Sequence, residues 1–166
     1  MDFDGLPVCH LKPGDFYLAL QPTLIKTVLG SCLTVTMYAP RTGYGAACHA
    51  LQPTCRKKAL QCQPDQCREK FRYVECVIPE MIRQLQRYGV TKAELEVKIF
   101  GGADMMLKEL AAHQRVGSLN VQMAKEVVAA LGLAIMSADV GGGVGRQLIF
   151  NTGNGDVWIK RFSKRR

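Results

Sequence analysis

A chain of 166 residues, 48% hydrophobic and 22% charged, has the size and composition of one folded domain with a sizeable core. No apolar run approaches the roughly 20 residues that span a bilayer, and the acidic start Met1-Asp2-Phe3-Asp4 is unlike a secretory signal, so a cytoplasmic protein without membrane insertion is expected. The net charge is +8, but Lys160, Arg161, Lys164, Arg165 and Arg166 fall in the last seven residues and leave only +3 for the body. With no basic face interleaved with aromatics, no nucleic-acid partner is expected, and residues 160–166 read as a solvated basic tail.

In chain order, the first 22 residues are mixed, with a turn at Pro13-Gly14. Leu24 to Tyr38 is β-branched and aliphatic except at Gly30-Ser31, which predicts a strand, a tight kink and a second strand. Tyr44 to Leu51 predicts another strand, and Gln52 to Arg72, polar with two prolines and three cysteines, a long loop. Val77, Met81, Leu85 and Tyr88 at helical spacing predict a helix over Tyr73 to Tyr88, stopped by Gly89. Leu95 to Phe100 predicts a strand ending at Gly101-Gly102. Asn120 to Leu131 predicts a second helix, and Leu133 to Asp139 a strand. Leu148 to Phe150 and Val157 to Lys160 predict a closing hairpin about Asn154-Gly155. Hairpins mixed with helices indicate an α+β fold.

Two glycine-rich stretches invite a ligand reading. Gly141 to Gly145 is followed by strand-like Gln147 to Phe150 and no Gly-Lys-Ser/Thr occurs, so a turn or bulge is expected there instead of a phosphate cradle. Gly101-Gly102 suits close packing before a helix start at Ala103-Asp104-Met105. Met105 and Met106 read as core, and His10 and His113 as surface residues. The seven cysteines are expected to be reduced thiols in the cytoplasm. Cys55, Cys62 and Cys67 cluster without a Cys-x-x-Cys or a nearby histidine, so neither a metal nor a cofactor is expected.

The chemistry is concentrated in one hairpin. If Ala39-Pro40-Arg41-Thr42 is its loop, Tyr38 pairs with Gly43 and every cross-strand pair sums to 81. Cys32 and His49 share that sum and fall opposite each other on one face, where Cβ atoms are about 4.5–5.5 Å apart. Thr34, Thr36, Ala47 and Gly45 share the face and are small enough for a groove, while Leu33, Val35 and Met37 turn the other way. An imidazole beside a thiol takes its proton to make the nucleophile and later protonates a leaving nitrogen. Gly30-Ser31 would let backbone N–H groups face an oxyanion. The same register also suits a buried cysteine beside a core histidine, and spacing by itself does not choose between them.

Thr27-Val28-Leu29-Gly30-Ser31-Cys32 with His49 downstream resembles the CheD family of chemoreceptor glutamine deamidases. So do Lys98 to Ala103, Val116-Gly117-Ser118-Leu119-Asn120, and Asp139-Val140-Gly141-Gly142 with Gly145-Arg146, in order from about Leu11 to Phe162. The resemblance implies an α/β/β/α layered sandwich, similar to the catalytic domain of cytotoxic necrotizing factor toxins. It also implies a cysteine hydrolase that converts receptor glutamines to glutamates and acts on receptor methylesters through the same acyl-enzyme. In a Cys-His-Thr triad, Cys32 and His49 match the motif and Thr27 is the nearest match to the third member. Relatives commonly carry an arginine where this chain has Leu119. Methyl-accepting chemoreceptors are the implied substrates and a CheC-type phosphatase a possible partner; the alternative is a docking protein of receptors or of that phosphatase with little catalysis.

Overall fold

The computed structural model describes residues 5–55, 66–104 and 115–163; Cys62, Met105, Met106, His113 and Lys164 to Arg166 lie outside them. Among the described residues, nine strands form two mixed sheets. The four-stranded sheet has the order β1 (Val8–His10), β3 (Leu24–Leu29), β8 (Arg146–Asn151), β9 (Val157–Arg161). The five-stranded sheet has the order β2 (Phe16–Ala19), β5 (Tyr44–Cys48), β4 (Leu33–Ala39), β6 (Glu96–Gly101), β7 (Ile135–Val140). β1 and β2 lie within the mixed N-terminal stretch that showed no clear alternation, while the turn at Pro13-Gly14 is present.

Helices α1 (Val74–Gln86) and α2 (Val116–Ala130) both pack on the five-stranded sheet. The result is an α+β layered fold in which, among the described residues, no helix covers the outer face of the four-stranded sheet; Val28 there is exposed. α1 buries Val74, Val77, Ile78, Met81, Ile82 and Leu85, an apolar stripe at i, i+3/i+4 spacing. Tyr88, expected on that stripe, lies beyond the helix end, exposed and edge-on to Tyr44. α2 begins four residues before the expected Asn120. Its first turn is capped from a distance: Asp104 accepts bonds from the Ser118 N–H and hydroxyl, which no local capping pattern reveals.

The hairpin register differs from the expected one. Its loop is Pro40 to Gly43, with Gly43 at φ +69°, and Thr36↔Ala47, Met37↔Ala46, Tyr38↔Gly45 and Ala39↔Tyr44 all sum to 83. Placing the left-handed position at Gly43 relieves the steric cost a side chain would meet there. The slip is two residues, so every side chain keeps its face. Leu33, Val35 and Met37 do face the helices in the main core. The small-residue face is no groove, however. It lies against the four-stranded sheet, where Ala47 joins Ile25, Leu29, Phe100, Leu148 and Phe150. The sheets approach so closely that a Cβ on Gly45 would strike the Thr152 side chain.

The closing hairpin is β8–β9, with Phe150↔Val157 as its innermost pair. Lys160 and Arg161, read as the start of the tail, belong to β9, and Arg161 pairs with Asp139 at 2.6 Å. Among the described residues no group of histidine, cysteine, aspartate or glutamate side chains is arranged to hold a metal. Nor is any helix long and apolar enough to cross a membrane.

Candidate active site

β3 and β4 are consecutive in sequence but belong to different sheets, and Gly30-Ser31-Cys32 is the crossover between them. Cys32 therefore sits where the two layers diverge, half-buried, while the residues flanking it are anchored in separate hydrogen-bond ladders. The carbonyls of this crossover all face inward. Gly30 O accepts the Ala103 N–H at 2.9 Å, Ser31 O accepts Asn120 Nδ2 at 2.9 Å and Cys32 O accepts the Gly102 N–H at 2.8 Å. Gly101, at φ +105°, lies so close beneath that a Cβ would collide with the Cys32 carbonyl. A Cβ on Gly102 would strike Val121 and the Gly117 carbonyl. The expectation that Gly101-Gly102 serves close packing holds, and what it packs is the cysteine loop.

His49 follows β5, where its backbone leaves the β4 ladder. Its N–H donates to Asp15 O at 3.0 Å and its carbonyl accepts the Gly14 N–H at 2.8 Å. The bridge Leu33↔Ala50 carries the sum of 83 on past the hairpin, which sets Thr34 opposite His49 and Cys32 one diagonal step away on the same face. The imidazole is 2% exposed. Its Nδ1 lies 2.8 Å from Thr27 Oγ1. Thr27, from β3 of the other sheet, gives its single hydroxyl proton to Leu11 O at 2.8 Å. Its oxygen is thus left to accept, and Nδ1 must carry the proton. Nε2 is then the basic nitrogen; it is buried and, among the described residues, without a partner, as is Thr34 Oγ1.

Burial pushes the Cys32 thiol above its ordinary range, opposed in part by its own backbone N–H. Burial also holds the His49 imidazole below its ordinary range, more strongly than the Leu11 carbonyl and Asp15 carboxylate raise it. Burial thus disfavours the charged form of both groups, the thiolate and the imidazolium. Of the other thiols, Cys48 is wholly buried and pushed up to about 12, and none of the six described cysteines is in a disulfide.

Support extends outward from the crossover. The turn after β7 gives its Gly141 N–H to Gly101 O at 2.8 Å and receives the Asp104 N–H on Gly142 O at 2.9 Å. Arg146, 2% exposed, holds this turn through the Gly141 carbonyl and through the Asp139 carbonyl and carboxylate. Gly141 to Gly145 is thus a turn buttressed by an arginine, and no phosphate cradle is needed to explain its glycines. Thr27 and His49 meet directly, Cys32 lies one diagonal step from His49 on the same face, and Gly30 and Ser31 form the crossover itself. Asn120, Asp15 and Leu11 are contributors that spacing did not single out. Only Asn120 left a signal, as a polar residue in the buried row Gly117, Asn120, Ala124, Val128 of α2.

The family described as CheD chemotactic sensory transduction matches residues 59–161. This chain belongs to the CheD family. It is 43% identical over 159 residues, 96% of this chain and 92% of the relative, to a probable chemoreceptor glutamine deamidase CheD 2 of Geobacter sulfurreducens. A probable chemoreceptor glutamine deamidase CheD of Maridesulfovibrio salexigens is 41% identical over 157 residues, 93% of this chain and 91% of the relative. Another so described, from Oleidesulfovibrio alaskensis, is 39% identical over 160 residues, 94% and 73% of the two chains. These CheD alignments extend over nearly the whole chain, whereas the family match begins after His49.

Proposed function

We propose that this chain is a chemoreceptor glutamine deamidase that works by Cys-His nucleophilic catalysis. The observation that carries the mechanism is the Nε2 of His49, buried and without a partner among the described residues, on a ring whose other nitrogen is committed to Thr27. The relatives' descriptions supply the substrate class.

The steps follow from the groups present. His49 Nε2 takes the Cys32 proton as sulfur attacks the glutamine side-chain carbonyl, forming the C–S bond and an oxyanion. The imidazolium then protonates the departing nitrogen, the C–N bond breaks, and ammonia leaves a thioester. Water gives a proton to His49 and its oxygen to the thioester carbon; the C–S bond breaks, and the proton returns to sulfur. The products are glutamate and the free thiol. Thr27 keeps the proton on Nδ1 and so keeps Nε2 basic before substrate binds. A receptor methylester would give the same acyl-enzyme with methanol as leaving group. Within this reading methyl-accepting chemoreceptors are the substrates, a CheC-type phosphatase is the regulatory partner, and free thiols suit a cytoplasmic site of action.

The test is mass spectrometry of a receptor co-expressed with this chain. Glutamines that gain about 1 Da with the wild type and not with Cys32→Ala are the expected result, with a loss of at least about 10⁴-fold in ammonia release. A folded Cys32→Ala chain that still releases ammonia would overturn the mechanism.

A further inference from the structure

Asn120 is the only side chain among the described residues that reaches both arms of the site. It is fully buried in α2, and its Nδ2 donates to Ser31 O at 2.9 Å and to Leu51 O at 3.1 Å. One acceptor is the peptide that leads into Cys32; the other lies two residues beyond His49. Carbonyls only accept, so the nitrogen must face them and the amide orientation is fixed. Asn120 Oδ1 has no partner among the described residues.

A trans peptide points its C=O and the following N–H in opposite directions, and the chain has no cis bond among the described residues. Drawing the Ser31 carbonyl toward α2 therefore turns the Cys32 N–H away from α2. That N–H donates to no other residue among those described, and it acts on its own sulfur. With no acceptor in another described residue, it lies beside the attacking atom, where an oxyanion hole needs a donor.

We infer that Asn120 is a positioning residue that, by holding the Ser31 carbonyl inward, aims the Cys32 N–H at the oxyanion formed during glutamine hydrolysis. This rests on the deamidase reading above. Asn120 acts through the backbone, since both of its hydrogen bonds go to main-chain carbonyls. Its second bond, to Leu51, ties the same amide to the segment that carries His49, so nucleophile loop and base share one fixed reference.

The experiment compares wild type, Asn120→Ala and the near-isosteric Asn120→Asp as full chains. It measures ammonia release from a receptor cytoplasmic fragment alongside the rate of Cys32 alkylation by iodoacetamide. Displacement of iodide at a methylene builds no oxyanion, so alkylation reports the thiol and its base alone. Loss of one oxyanion donor costs about 10²–10³-fold in kcat. Both variants are expected to lose about that much kcat, with KM and the alkylation rate each within about threefold of wild type. An unchanged kcat overturns the inference. So does a parallel fall in kcat and alkylation, which marks a general disturbance of the site. Failure of both variants to fold also counts against it, since Asn120 would then be a support of the whole fold. A wild-type chain that releases no ammonia sinks the deamidase reading itself, and is separate from these outcomes.

Discussion

The two faces of β4 put the same backbone to opposite uses. Leu33, Val35 and Met37 face the helices and are sealed in an apolar core with Val77, Ile78, Met81 and Leu85. Thr34 and Thr36 face the other sheet, equally inaccessible to water, yet in the layer that holds Thr27, His49 and two polar atoms without a partner among the described residues. Burial in the first layer stabilises; burial in the second layer leaves groups unsatisfied and shifts the titration of Cys32 and His49. The fold rests on the first, and the unsatisfied groups of the second mark it as the candidate site.

Substitutions can break this contrast on either side. Met37→Ala removes a fully buried side chain from the helix-facing layer and is expected to cost about 2–5 kcal/mol in urea unfolding. Ammonia release per folded molecule should stay near wild type; a specific loss of activity would mean the two layers are coupled. Thr27→Val keeps the shape but leaves the His49 Nδ1 proton without its acceptor. A buried unsatisfied donor costs about 1–3 kcal/mol, so kcat should fall by about 5- to 150-fold, read by steady-state ammonia release with stability tracked by circular dichroism.

The pH dependence follows from the lowered His49 value. The folded state resists protonating an imidazole that the unfolded chain protonates near pH ~6.5. The unfolded state therefore binds more protons on the acid side, and stability supplied by this group is present above that pH and lost on acidification below it. The acid limb of kcat/KM should lie below pH ~6.5, and His49→Gln should flatten the fall in urea midpoint between pH 7 and pH 5. An acid limb at or above ordinary imidazole titration would contradict the buried, neutral base. The smallest effect, and the one of opposite sign, belongs to Thr34→Val. Replacing a buried hydroxyl that has no partner among the described residues with a methyl should raise stability by about 1 kcal/mol; a destabilised variant would reveal a partner for Thr34 Oγ1.

Much of this arrangement is legible in the amino-acid sequence, unevenly. The strands from Leu24 onward and both helices were legible because their apolar residues repeat at periods of two and 3.6. β1 and β2 were not, since both are short and β1 is largely exposed. The hairpin register lies two residues from the one a loop at Ala39 to Thr42 predicts, because the loop starts one residue later and ends on Gly43. The difference is harmless to the pairing of faces, since an even slip preserves them. The groove expected over the small residues was wrong for a non-local reason: small side chains there accommodate a second sheet.

What the amino-acid sequence determined by itself was which elements form, which face of β4 is apolar, and which cysteine has a histidine on its own face. Periodicity and parity are local and survive errors of register. Tertiary structure alone decided that Gly30-Ser31-Cys32 crosses between sheets, that Thr27 meets His49 across the layer, and that Asn120 holds both arms of the site. Those contacts join residues 22, 89 and 69 positions apart, and at such separations only the packing of layers, not spacing along the chain, brings side chains together.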